Sequence, residues 1–243
     1  MKKLSFVCIF LVFCSCTEKT SWLDKEVAIQ SNSSSLDQFH ILQGPEKVGH
    51  WDWEMTEHDN KLIFRDESVM DGVINENFVL TFNRIEGFTE AVDMSAQMGP
   101  VSQKVDFTRS SAMDLKGTFE IKGLGEGRDR IKVIDTVFGQ PTVVRAEVFG
   151  MLPYVKNPET LNEELNVFFM NTATTGTMKL EYVEQQEIEI GTAKHNVHKI
   201  EFHGNGPVSN TIYISTDFPH KIMKVEVLNQ PLTIERIADN NAS

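Results

Sequence analysis

Residues Trp51-Asp52-Trp53-Glu54-Met55-Thr56-Glu57-His58-Asp59-Asn60-Lys61-Leu62-Ile63-Phe64 decide the fold class. Trp51, Trp53 and Met55 alternate with Asp52, Glu54 and Thr56. That period of two is the period of a strand with one face buried and one in water. Asp59-Asn60 supply turn residues, and Leu62 and Phe64 then resume on one face. Two alternating runs across a polar turn predict an antiparallel hairpin.

The same pattern recurs on both sides of this hairpin. Phe78, Leu80 and Phe82 alternate with Val79 and Thr81, and Val105 with Phe107, Phe119 with Ile121, and Ile131 with Val133 repeat it. Val144, Ala146 and Val148 alternate with Arg145 and Glu147 and also read as a strand. Met178, Leu180 and Tyr182, then Ile188 and Ile190, then Ile212 and Ile214, and finally Met223, Val225 and Val227 continue the series. Such alternation marks antiparallel strands solvated on one face. A single helix is expected from Asn157 as cap and Pro158 at its first position, with Leu161, Leu165 and Phe168 or Phe169 on one face. The predicted fold is mainly β. It is one large curved antiparallel sheet over residues 40–238, a half-barrel or part-closed barrel of roughly ten to twelve strands with one short helix.

The first residues carry an address. Lys2 and Lys3 precede an apolar run from Leu4 to Phe13, too short to span a bilayer, which takes about 20 residues, and suited to a signal-peptide core. Phe13-Cys14-Ser15-Cys16 resembles the bacterial lipoprotein signal, in which a small residue precedes the Cys that is acylated and becomes the new N-terminus. The resemblance places the lipid on Cys16 in preference to Cys14, with residues 1–15 removed, and a plain secretory signal cut without lipidation is the competing reading. Thr17 stands where an Asp resembles an inner-membrane retention signal, so the expected site is the outer membrane, facing the periplasm. Residues 16–35 end in Ser31-Asn32-Ser33-Ser34-Ser35 and read as a flexible tether. Residues 36–243 then form a single β-rich envelope domain.

All three cysteines, Cys8, Cys14 and Cys16, lie in the leader. Disulfides, thiolate metal sites and a thiol nucleophile are thereby excluded for the domain. The net charge of −12 disfavours nucleic acid and docking on anionic lipid by charge. Membrane attachment is expected through the lipid alone.

Near the C-terminus, Glu187-Ile-Glu-Ile-Gly191-Thr192, Val197-His-Lys-Ile200-Glu-Phe202, the turn Gly204-Asn-Gly206, and Tyr213-Ile-Ser215-Thr-Asp217-Phe-Pro219-His-Lys-Ile222-Met-Lys224-Val form one series. It resembles the uncharacterised bacterial envelope family called domain of unknown function 3108, which is similar to the half-barrels of periplasmic lipoprotein carriers. The resemblance implies a fold and an envelope address and transfers no catalytic residue. Asp217 and Pro219 read as shaping a turn.

Gly123-Leu-Gly125-Glu-Gly127 lies between two strands and reads as a hairpin loop, because a phosphate cradle needs a helix after it. His195, His198 and His203 stand near Glu201, but His198 points away on a regular strand and Lys199 shares the face, so surface histidines are expected and no metal. Asp52, Glu54, Glu187 and Glu189 fall on solvent faces and read as a solvated acidic surface. Gly-x-Ser-x-Gly is absent. No catalytic residue and no cofactor are expected. The chain has 16 Phe against 3 Tyr and 3 Trp, many on inward faces. Two uses compete: packing, or lining a dry concavity for an acyl chain, with Phe78 and Phe82 as ligand contacts. The leading expectation is a non-catalytic carrier of an apolar envelope ligand. The alternative is an assembly protein that docks an envelope partner, and a hydrolase comes third.

Overall fold

The computed structural model describes residues 35–206 and 208–237. Cys16, the leader and the tether except Ser35 lie outside the described residues. Among the described residues, period-two patterning is realised as fifteen strands. These are β1 (Ser35–Gln43), β2 (Glu46–His58), β3 (Lys61–Met70), β4 (Ile74–Asn83), β5 (Phe88–Met98), β6 (Val101–Thr108), β7 (Asp114–Lys122), β8 (Arg130–Val137), β9 (Thr142–Val144), β10 (Asn162–Phe169), β11 (Thr174–Ile190), β12 (Ala193–Gly204), β13 (Asn210–Ser215), β14 (Ile222–Val227) and β15 (Leu232–Arg236). A seven-residue helix, α1 (Arg145–Met151), follows β9, and 3-10 turns span Leu152–Tyr154 and Pro158–Thr160.

The strands form one sheet in the order β8-β7-β6-β5-β4-β3-β2-β1-β15-β14-β13-β12-β11-β10-β9. The defining hairpin pairs as its alternation predicts, with Met55 opposite Phe64 and His58 opposite Lys61. All ladders are antiparallel except β9 on β10, which is parallel. A sheet this wide must curl. Its two ends approach without a ladder between them: Phe107 of β6 and Phe168 of β10 lie 5.1 Å apart, ring to ring. The Lys132 Nζ of β8 donates to the Ala173 carbonyl at 3.2 Å. The sheet is a curled, unclosed barrel.

The position of the helix corrects the sequence reading. The segment from Asn157 is a 3-10 turn and then strand β10, while the segment read as a strand at Val144–Val148 is α1. Leu161, Leu165 and Phe168 satisfy helical spacing, but Leu165, Val167 and Phe169 satisfy strand spacing equally, and Val and Phe favour the pleated surface. Conversely, Val144, Val148, Met151 and Leu152 recur at i, i+4, i+7 and i+8 and are almost wholly buried.

Helix α1 lies inside the curl. Gly150 packs on the Phe64 ring of β3, Glu147 meets Thr89 of β5, Phe149 meets Phe202 of β12, and Arg145 reaches Asn210 of β13. These strands belong to both halves of the sheet, so the helix fills the concavity between them. One apolar cluster joins α1 to the inward faces, and it includes Phe39, Phe64, Phe82, Phe107 and Phe169. A small second cluster, Ile190, Val197, Tyr213 and Met223, sits at the β11–β14 end. The glycine-rich segment forms the β7–β8 connection with Gly123, Gly125 and Gly127 at positive φ, and Gly123 N donates to Asp129 Oδ1 at 2.9 Å.

Candidate functional site

The inward face of β3 and β4 changes character along its length. Leu62, Phe64, Leu80 and Phe82 are buried against the interior. Further along the same faces come Asp66, Ser68 and Met70 on β3, and Ile74 and Glu76 on β4, each keeping part of its surface exposed. The interior therefore opens at this end. Phe78 sits opposite Asp66 in the β3–β4 register and is 3% exposed, whereas Phe82 sits opposite Leu62, deep in the packed section, at 2%. Of the two expected ligand contacts, Phe78 borders the polar end and Phe82 does not.

Three charged side chains converge at this end. Asp66 and Glu76 are diagonal neighbours, since Asp66 pairs with Phe78 and Ser68 with Glu76. Trp51 Nε1 donates to Asp66 Oδ2 at 3.1 Å. Burial, with the Glu76 carboxylate adding to it, pushes the Asp66 carboxyl up to about 7 against the opposing Trp51 bond. Burial also raises Glu76, and Arg145 opposes that rise. The Arg145 guanidinium is pulled down to about 10 by burial. It donates to Asn210 Oδ1 and lies over the Phe149 ring at 5.2 Å. Among the described residues, Asp66 Oδ1 and Arg145 Nε are sealed from solvent without a hydrogen-bond partner.

A second buried group ties α1 to the sheet. Thr89 donates from Oγ1 at 2.6 Å and from N at 3.3 Å to Glu147 Oε2. Burial pushes the Glu147 carboxyl up against these bonds. Arg109 donates to the carbonyls of Thr142 at 2.6 Å and Ala112 at 2.7 Å, and so pins β9 to the β6–β7 connection. These groups hold the helix in place.

The outer surface offers different chemistry. A depression of about 450 Å3 crosses the outer faces of β4–β7. Asn75, Gln97 and Ser102 align across three strands there, beside Asn77, Ser95 and Lys104. Amides and hydroxyls of this kind do not suit an acyl chain. The expected histidine group divides. His195 pairs with Ile188 near the tip of the β11–β12 hairpin, and His198 makes ring contacts with Tyr182 and His220. His203 and Glu201 instead meet Glu181, with ligand atoms within 4.8 Å of one another. Lys179 pairs with Glu181, and its hydrogen bond, then that of His203 at 2.8 Å, hold the Glu181 carboxyl low. A cation at this point would have to displace Lys179.

Strand β8 forms one end of the sheet and pairs only with β7. Of its eight residues only Ile134 is buried. Ile131, Val133 and Val137 share one face and are 69%, 75% and 78% exposed. A free strand edge flanked by β-branched side chains is a template for another strand.

Sequence reasoning missed Asp66, Glu76 and Arg145. Part of the signal was present, because Asp66 continues the face of Leu62 and Phe64, and Glu76 that of Phe78 and Leu80. Arg145 carried no such signal, because it reaches the interior only through the helix.

No family model matches the chain, and no curated protein matches it significantly. Among solved structures, the chain is similar to the crystal structure of a beta-barrel-like protein of domain of unknown function DUF1849 from Brucella abortus. The two share 7% sequence identity over 84% of this chain and 93% of the other, with a TM-score of 0.47.

Proposed function

We propose that this chain is a non-catalytic envelope lipoprotein, anchored by acyl chains on Cys16 at the outer membrane, that docks a protein partner through the free edge of β8. The observation that carries the docking reading is the exposed stripe Ile131, Val133 and Val137 on an unpaired strand. It is joined by an interior filled with α1 and phenylalanine side chains, which leaves the apolar concavity occupied by the chain's own residues. A partner offering an extended strand would complete the backbone hydrogen bonds of β8 and cover the stripe. The envelope address rests on the likeness of the leader to a lipoprotein signal and of Val183–Val227 to domain of unknown function 3108.

The test places a photo-crosslinking amino acid at Val133 in cells and, as a control, at Ile85, which is equally exposed but lies in the β4–β5 turn. A discrete adduct from position 133 alone supports the reading. Equal labelling at both positions, or none, overturns it.

A second reading, carriage of an apolar ligand, is favoured by one observation, the partial exposure of Met70 and Ile74 at the open end beside Phe78. A ligand there would lie on Trp51 and Phe78 with its polar group at Asp66.

A further inference from the structure

The β8 edge is complementary to itself. We infer that the strand pairing with β8 is the β8 of a second copy of this chain, related by a twofold axis that passes beside Ile134 perpendicular to the sheet. The inference rests on the docking reading above and names its partner.

A twofold axis in this orientation keeps the outer face of one copy continuous with the outer face of the other. Residues of like parity must therefore face each other across the axis. With Ile134 opposite Ile134, every residue from Ile131 to Val137 is paired. Ile131 faces Val137 at both ends, Lys132 faces Thr136, and Val133 faces Asp135. No like charges stand directly opposite. Neighbouring registers are worse. Centring on Asp135 sets that carboxylate against itself, which is destabilising. Centring on Val133 sets Ile131 against Asp135 and Val137 against Asp129.

Two of the three charged side chains of β8, Lys132 and Asp135, already have contacts within one copy. Lys132 Nζ donates to the Ala173 carbonyl on the inner side. Lys116 Nζ lies 3.7 Å from Asp135 Oδ1 on the outer side. In the paired state Ile131 of each copy stands against Val137 of the other at the two ends of a continuous sheet, with Val133 against Asp135 between them. Two acidic chains repel at a distance, so this contact is expected to tighten as salt screens the repulsion.

The experiment is sedimentation equilibrium of the detergent-solubilised full chain, repeated at low and high salt. The expected result is a reversible monomer–dimer equilibrium that strengthens with salt. Val133→Lys should raise the dimer dissociation constant at least about tenfold, equivalent to about 1.4 kcal/mol, with an unchanged circular dichroism spectrum, and Ile85→Lys should leave it unaltered. Register is read by mixing V133C chains with D135C chains. Oxidation without a linker should form a disulfide in the mixture, whose cysteines stand directly opposite, and not in V133C alone, whose cysteines lie on the diagonal about 7–8 Å apart. A chain that stays monomeric, or a dimer indifferent to Val133→Lys, overturns the inference. If the chain is monomeric yet position 133 still gives a discrete adduct in cells, self-pairing fails and docking stands. If that adduct is also lost, both fail.

Discussion

Asp66 is a carboxyl group set among Trp51, Phe78 and Glu76 at the open end of the interior. Its folded-state value of about 7 lies above the ordinary value for an unfolded chain. The folded state therefore holds the proton more tightly. The stability this confers is complete below about pH 4 and is lost as pH rises through about 7. Asp66→Asn keeps an acceptor for Trp51 and removes the titration. The variant should match the wild type near pH 4 and exceed it by on the order of 1–3 kcal/mol near pH 8, as read by denaturant unfolding. A variant less stable at both pH values would mean that the ionised carboxylate is held by its partner, the Trp51 indole N–H. Cys16 belongs to the same scale. Cys16→Ser should move the protein from the membrane pellet to the soluble fraction or to an uncleaved precursor, and retained acylation would assign the lipid elsewhere. The two residues differ in how they can be read. The proposal for Cys16 rests on a local signal, a charged, apolar and small-residue order along the chain. Asp66 is a single acid at an inward position, and its meaning depends on which strand lies beside it.

Elements were legible where period two had no competitor. The hairpin of β2 and β3 follows directly from Trp51–Phe64, because alternation and turn residues agree. Helix α1 and strand β10 were exchanged, because a short apolar segment can satisfy both periods and tertiary burial then decides. Gly150 in α1 tests that burial. Intrinsic propensity makes Gly150→Ala favourable by up to about 1 kcal/mol. The added Cβ, however, would lie 3.1 Å from the Phe64 ring, which is itself stacked on Trp53 at 5.4 Å. Overpacking of about 1–3 kcal/mol outweighs propensity, so the variant should melt lower than the wild type. Pro219 lies in the connection between β13 and β14, as the sequence reading has it, but the side chain that anchors this connection is not Asp217. The Asp217 carboxylate makes no hydrogen bond among the described residues, and Asp217 contributes its carbonyl, 3.3 Å from Ser215 Oγ. His220 does the anchoring. Its N donates to the Pro153 carbonyl at 2.9 Å, and its ring nitrogens lie 2.7 Å from Ser215 O and 3.1 Å from Val155 O. His220→Ala should cost about 1–3 kcal/mol in thermal or denaturant unfolding, and Asp217→Ala much less. The reverse order would return the turn to Asp217.

For the molecule as a whole, the filled interior carries an expectation about ligands. The detergent-free domain should show no saturable uptake of a fluorescent fatty acid, since α1 and the inward Phe side chains occupy the apolar space. Saturable uptake that Phe78→Asp weakens and the wild-type fold retains would return the carrier reading. The contrast between interior and edge also marks what one dimension of information can hold. The sequence by itself determined the β class, the antiparallel hairpins and, among the described residues, the single short helix as a quantity, because each is a pattern among neighbours in the chain. Only the tertiary structure decided where the helix lies, which acids meet at Asp66 and Glu76, why Glu181 joins His203, and that β8 is an edge. Those facts depend on register and on the closure of a wide sheet, which bring residues far apart in the chain side by side, and no local period encodes which strand is left without a neighbour.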